Sequence, residues 1–213
     1  AAKSCPPVFV GASNPPTAPR LDNMLDDSIE NDCIPTTVVE VWPQGIVVTA
    51  NRVQQRDLKS FMEFAKKNPG KLNSASAGNG TSHHLAGELF KKLAGLEIVH
   101  VPYKGAAEAL QDTMTGAVQL TFGGVATAMP HIRAGKLRAL GISSLDTSPL
   151  APEIAPISQQ GFPGFESTSW WGLSVRSGVP KEIVVRLNTE IVKVIQLPEI
   201  RENAQKITDP PAP

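Results

Sequence analysis

The stretch SAGNGTSHHLAGELFKKL (residues 76–93) decides the fold. A short strand over residues 71–77 is predicted to run into a glycine-bearing turn, Gly78-Asn79-Gly80, and straight on into a helix. Thr81 and Ser82 are both suited to the N-cap, because a hydroxyl accepts from the unpaired N–H groups of the first turn. Leu85, Leu89, Phe90 and Leu93 recur at helical spacing, which predicts one apolar face. A strand–turn–helix unit of this kind presents free backbone N–H groups and the positive end of a helix dipole. That arrangement suits phosphate or carboxylate. The same glycines also suit nothing more than a tight connection between strand and helix.

The chain around this unit repeats the pattern. Downstream, strands are predicted over 97–102, 118–122 and 137–143. They alternate with helices carrying Ala106, Leu110 and Met114, and then residues 125–133. Gly105 and Gly123-Gly124 are read as the turns into those helices. Upstream, strands are expected over 7–12, 34–42 and 45–50, the last two divided by Pro43. A helix capped by Asp57 follows, ended by Asn68-Pro69-Gly70. Residues 146–165 are proline-rich and read as loop. A strand over 170–176 and a helix opened by Pro180 come after them. This alternation predicts an α/β layered fold with a largely parallel sheet. Ligands of such sheets sit where loops leave the carboxyl ends of strands, so the turns at 78–80, 105 and 123–124 become the candidate site wall.

Composition narrows the function. The 213 residues are 41% hydrophobic and 19% charged, with zero formal net charge. A neutral chain is not expected to have nucleic acid or an anionic membrane as its main partner. No apolar run reaches the length of a membrane span, so no stable membrane insertion is expected. The opening residues lack a charged region followed by an apolar one. No signal peptide is therefore expected in this chain, although a mature exported protein would have lost its own. Cys5 and Cys33 fit no metal-ligand spacing and stand either as one disulfide or as two buried thiols. No metal, cofactor or catalytic residue is expected. Ser82 beside His83 suggests a nucleophile and base, but adjacent helical residues do not face each other and no GxSxG elbow is present. His84 is expected to pack near the helix start and His83 to be solvated. Lys104 either pairs on the surface or steers anions. Trp170 and Trp171 either anchor their strand or stack on a ligand.

Four blocks in order carry a family resemblance: NPGKLNSASAGNGTSHHLAGELFKKLAG (68–95), IVHVPYKGAAEAL (98–110), MPHIRAGKLRALGIS (129–143) and GFPGFESTSWWGLSVRSGVPKEIVVRLN (161–188). Together they resemble the Bug/TctC family of extracytoplasmic solute-binding receptors of tripartite tricarboxylate transporters. The resemblance is close from about residue 34 onward. It implies a type II periplasmic-binding-protein fold with two α/β domains joined by crossing strands. The division it suggests is 1–73 for a partial first domain, 74–168 for the second, and 169–213 returning to the first. It also implies a periplasmic, non-enzymatic protein that captures a di- or tricarboxylate or related organic acid and delivers it to membrane transporter subunits. A ligand sensor that signals to a regulatory partner is the alternative; serine hydrolase is a remote third reading.

Two departures from the family pattern bear on binding. The family opens with a strand, a PFxPGG loop, a helix and a second strand, and nothing in residues 1–11 matches. PVFVGASN (7–14) looks like the family's later strand and loop, so the first strand–loop–helix unit is expected to be missing. Many relatives also carry an acidic residue or Asn after the Phe of FGGVA (122–126), where this chain has Gly123-Gly124. That loss makes amino-acid ligands less expected. The carboxylate is then expected to meet Ser76, Ala77, Gly78, Asn79, Gly80, Thr81 and Ser82, with Gly123 and Gly124 beside them. Ser13 and Asn14 would face it from the other domain. Each charge-assisted hydrogen bond contributes about 1.5–3 kcal/mol. Three or four therefore reach the roughly 8 kcal/mol of micromolar binding before ordering costs are subtracted.

Overall fold

The structure, a computed structural model, describes residues 8–12, 33–149 and 151–205. It is mixed α/β, as the alternating pattern implies. Its compact units divide the chain at 42/43 and 168/169, where the sequence reading placed its divisions at 73/74 and 168/169. One unit contains Pro43–Thr168; the other holds the described residues before and after it.

In the first unit, strand β1 (Val8–Ala12) pairs antiparallel with β7 (Thr168–Arg176), from Val8 opposite Val175 to Ala12 opposite Trp171. β7 in turn neighbours β2 (Cys33–Thr49). Trp171 stacks on Trp42 of β2, ring centroids 6.2 Å apart. Asn188 of α5 (Lys181–Ile195) donates through Nδ2 to the Thr36 carbonyl at 2.8 Å. No α5 residue is fully buried. Helix α6 (Pro198–Gln205) ends the described chain.

β2 corrects the expected pair of strands around Pro43: it runs unbroken through that proline for 17 residues. Proline lacks a donor, so it fits a sheet only where no ladder bond is required of its nitrogen. Here the registered pairs with β5 and β6 begin just after it, at Gln44 and Gly45.

The second unit builds its sheet in the order β6–β2–β5–β3–β4, with β3 (Asn73–Ser76), β4 (Val99–Pro102), β5 (Leu120–Gly124) and β6 (Leu137–Ile142). β3 is parallel to β4 and to β5. β2 alone runs antiparallel to its neighbours β5 and β6. Four helices accompany these strands: α1 (Leu58–Lys67), α2 (Ser82–Ala94), α3 (Ala106–Thr115) and α4 (Val125–Arg133). Asp57 caps α1 by accepting from the Ser60 N–H at 2.8 Å. Gly95 and Gly116 end α2 and α3 in the left-handed conformation that glycine alone adopts freely. Gly123 and Gly124, expected as a turn, are instead the last two residues of β5, paired with Gly45 and Gln44. α4 starts at the very next residue, because Gly124 itself serves as its N-cap.

The buried face of α2 also differs from expectation. Ala86, Gly87, Phe90 and Ala94 are buried, whereas Leu85, Leu89 and Leu93 are 40%, 39% and 55% exposed. Small residues win the inner face because they let the helix approach the sheet closely: a Cβ on Gly87 would stand 3.5 Å from the Phe122 ring. Phe90 fills the centre, its ring 5.7 Å from Phe122, 5.4 Å from Phe162 and 6.2 Å from Phe165. Phe90→Ala is therefore expected to lose about 3–5 kcal/mol of stability. Leu89→Ala should stay within about 0.5 kcal/mol of wild type. Urea denaturation of both variants measures the contrast; equal losses would refute this assignment of faces.

Candidate functional site

The turn between β3 and α2 is built from its own side chains. Gly78 has φ +129°, a conformation that L side chains rarely adopt. Its N–H donates to Ser76 Oγ at 3.1 Å. Thr81 Oγ1 donates to the Gly78 carbonyl at 2.7 Å, and the Thr81 N–H reaches the same carbonyl at 3.3 Å. The Gly80 N–H donates to His84 Nδ1 at 3.0 Å. Thr81 is the N-cap of α2, its hydroxyl accepting from the His84 N–H. The N–H groups of Gly78, Gly80 and Thr81, three of those expected to meet a ligand, are thus directed inward to hold the turn's shape.

Behind the turn lies a histidine pair. His84 stacks on His100 of β4 with ring centroids 3.9 Å apart. His100 Nε2 lies 2.6 Å from Ser76 Oγ. His84 Nε2 lies 3.6 Å from Glu88, which Lys91 contacts at 2.5 Å. Lys91 also donates to the Ile98 carbonyl at 2.9 Å, fastening α2 to the β4 edge. Ser76 is fully buried, so its hydroxyl is a structural link in this chain of contacts.

A cavity of about 340 Å³ opens at the carboxyl end of β5, lined by His83, Ala106, Ala107, Leu110, Thr121, Gly123, Gly124 and Thr127. Three helices contribute their first turns to it: α2 through His83, α3 through Ala106 and Ala107, α4 through Thr127, with the N-cap Gly124 beside it. The N–H groups of His83, Ala106 and Ala107 donate to nothing among the described residues. Each helix start carries roughly half a positive charge, so three such ends favour an anion together. Of the residues expected at the site, Gly123 and Gly124 line this cavity. Ser76, Ala77, Gly78, Asn79, Gly80, Thr81 and Ser82 form the adjoining turn. Ser13 and Asn14 lie outside the described residues.

His83, expected in solvent, is half-buried, and its Nδ1 is sealed from water with no hydrogen-bond partner. Sequence reasoning missed it, together with Ala106, Ala107 and Thr127. Their shared signal was position in the first turn after each strand, not residue type. Tyr103 donates to Asp112 at 2.7 Å and ties the loop before α3 to that helix. Burial raises its hydroxyl pKa to about 12, reinforced by Asp112. Among the described residues no three metal-ligating side chains converge, and no helix is long and apolar enough to cross a membrane. Cys33 is disulfide-bonded; Cys5, the other cysteine, lies outside the described residues.

Residues 8–210 match the family described as "Tripartite tricarboxylate transporter family receptor", TctC. The chain belongs to this family. Over 179 residues it is 38% identical to a UPF0065 protein from the tcbD-tcbE intergenic region of Pseudomonas sp. strain P51, covering 84% of this chain and 53% of that one. The chain thus spans about half the length of that relative. Among solved TctC-like structures, the periplasmic binding protein BugD superposes with a TM-score of 0.86 at 25% identity, covering 98% of this chain and 71% of its own. Rpa4515 of R. palustris, solved with adipate, gives 0.83 at 26% identity, with coverage of 97% and 69%. MatC from Rhodopseudomonas palustris, solved with bound malate, gives 0.83 at 25% identity, with coverage of 94% and 68%. The family is one of transport receptors, and these neighbours are binding proteins.

Burial lowers the His83 pKa to about 4 and also lowers that of His100. The His83 ring therefore stays neutral in the fold down to about pH 4, whereas the unfolded chain protonates it below about pH 6.5. Stability is expected to fall as pH drops from 6.5 towards 4. Melting temperatures measured across that range should decline less steeply in His83→Gln than in wild type. Parallel declines would show that His83 does not carry the effect.

Proposed function

We propose that this protein is a periplasmic receptor that captures a small carboxylate and delivers it to a membrane transporter. The observation that carries the reading is the convergence of three helix starts on one cavity at the carboxyl end of a parallel strand. A carboxylate there meets N–H donors already fixed by the fold, so little ordering is needed on binding. Neutral donors suffice: a charge-assisted hydrogen bond contributes about 1.5–3 kcal/mol, and a helix start adds roughly 0.3–1 kcal/mol. Adipate and malate in the structures of Rpa4515 and MatC fit the same ligand class. The disulfide at Cys33 suits an oxidising compartment such as the periplasm. The family's description supports membrane transporter subunits as partners. The protein's part is binding and release, with no bond made or broken.

Thermal-shift titration with a panel of small carboxylates is the direct test. A melting temperature that rises steadily with ligand concentration is the expected result; a flat response across the panel would overturn the reading. Ala107→Asp sharpens it. An acid in the first turn suits the helix dipole, so the variant should melt no lower than wild type. The same charge stands where the ligand anion would sit, and affinity should fall at least tenfold, or about 1.4 kcal/mol.

A further inference from the structure

The lining of the cavity says what the rest of the ligand is like. None of its eight residues is Lys, Arg, Asp or Glu. Ala106, Ala107, Leu110, Gly123 and Gly124 offer only apolar side chains or none. The two threonines have already committed their hydroxyl protons: Thr127 Oγ1 donates to the Gly124 carbonyl at 2.8 Å, and Thr121 Oγ1 to the Ala75 carbonyl at 2.9 Å. His83 contributes a flat ring that burial keeps uncharged. The charged residues nearest in sequence, Lys104 and Glu108, are exposed and do not line the cavity.

The helix starts can therefore take one carboxylate, but this wall has nothing to compensate a second charge. Ala106, Ala107 and Thr127 are exposed, so a second charge here keeps part of its water, but it gives up the rest with no ion partner in return. An ammonium fares worse than a second carboxylate, because the helix starts repel it and Gly123-Gly124 supplies no side-chain acceptor. An apolar body, by contrast, gains about 25 cal/mol for each Å² it withdraws from water.

We infer that the preferred ligand is a monocarboxylate with an uncharged, apolar body, seated against Ala106, Ala107, Leu110 and His83 with its carboxylate at the helix starts. This rests on the receptor reading above and narrows it. It departs from the dicarboxylates seen in Rpa4515 and MatC.

Isothermal titration of the whole protein with hexanoate, benzoate and adipate decides the matter. Hexanoate and adipate share a six-carbon chain and differ in the second carboxylate alone. Hexanoate and benzoate are expected to bind at least tenfold more tightly than adipate. Adipate binding as tightly or more tightly would overturn this inference and leave the receptor reading standing. Binding of none of the three, nor of any carboxylate in the wider panel, would overturn both. Thr127→Lys supplies the missing cation at the exposed rim, and circular dichroism would verify that the variant folds. It should improve adipate binding at least tenfold while changing hexanoate binding less. An equal gain for both acids would count against a discriminating wall.

Discussion

The contact on which the rest of the second unit depends is that of Phe90 with Phe122. It draws α2 onto the sheet, with Gly87 facing the same ring so closely that a Cβ there would already touch it, at 3.5 Å. Once α2 lies there, its first turn is fixed at the carboxyl end of β3. Phe122 belongs to β5, so the same contact aligns α2 with the strand that ends in Gly123-Gly124 and launches α4. Packing at the centre of the unit thus sets where the helix starts converge. A cavity with few side-chain contacts of its own inherits its precision from that core.

Two kinds of backbone donor stand close together and do different work. In the Gly78–Thr81 turn, N–H groups are consumed by Ser76, His84 and Gly78 itself. They hold the strand-to-helix connection in one shape. In the first turns of α2 and α3, the N–H groups of His83, Ala106 and Ala107 donate to nothing among the described residues, as helix starts commonly leave them. The bonds of the glycine turn make it scaffold, and in the proposed receptor the helix starts are the surface offered to an anion. The stacked His84 and His100 rings belong to the scaffold. They join the turn to β4, where Ser76 and His100 lie at hydrogen-bond distance.

The alternation of strands and helices was legible because glycine, proline and capping residues punctuate the chain at fixed points. Asp57 and Thr81 cap their helices as their chemistry predicts, and α4 spans the residues expected of it. What the pattern could not show was which of two adjoining stripes on α2 faces inward. Leucine looks like core in a sequence, yet close approach to a sheet selects Ala86, Gly87 and Ala94 over Leu85 and Leu89. Pro43 misled for a related reason: the registered pairs with β5 and β6 begin only after it, so those ladders ask no donor of its nitrogen. His83, Ala106, Ala107 and Thr127 carry no motif. They acquire meaning only when folding gathers three separate helix starts around one space, a long-range relation that local spacing does not encode.

The pairing of β1 with β7 has a consequence for how the chain reaches its native state. Val8 meets Val175 across almost the whole sequence, while Pro43–Thr168 forms a unit from one continuous segment. The continuous unit can complete its core from local contacts before β7 is in place. β1 must wait for β7, which lies beyond that whole unit in the sequence. Contacts of such long separation close slowly, and an unpaired strand edge is open to wrong partners in the interval. The interval from synthesis to closure is therefore where this protein is most exposed to aggregation, and where a holding chaperone would have most effect.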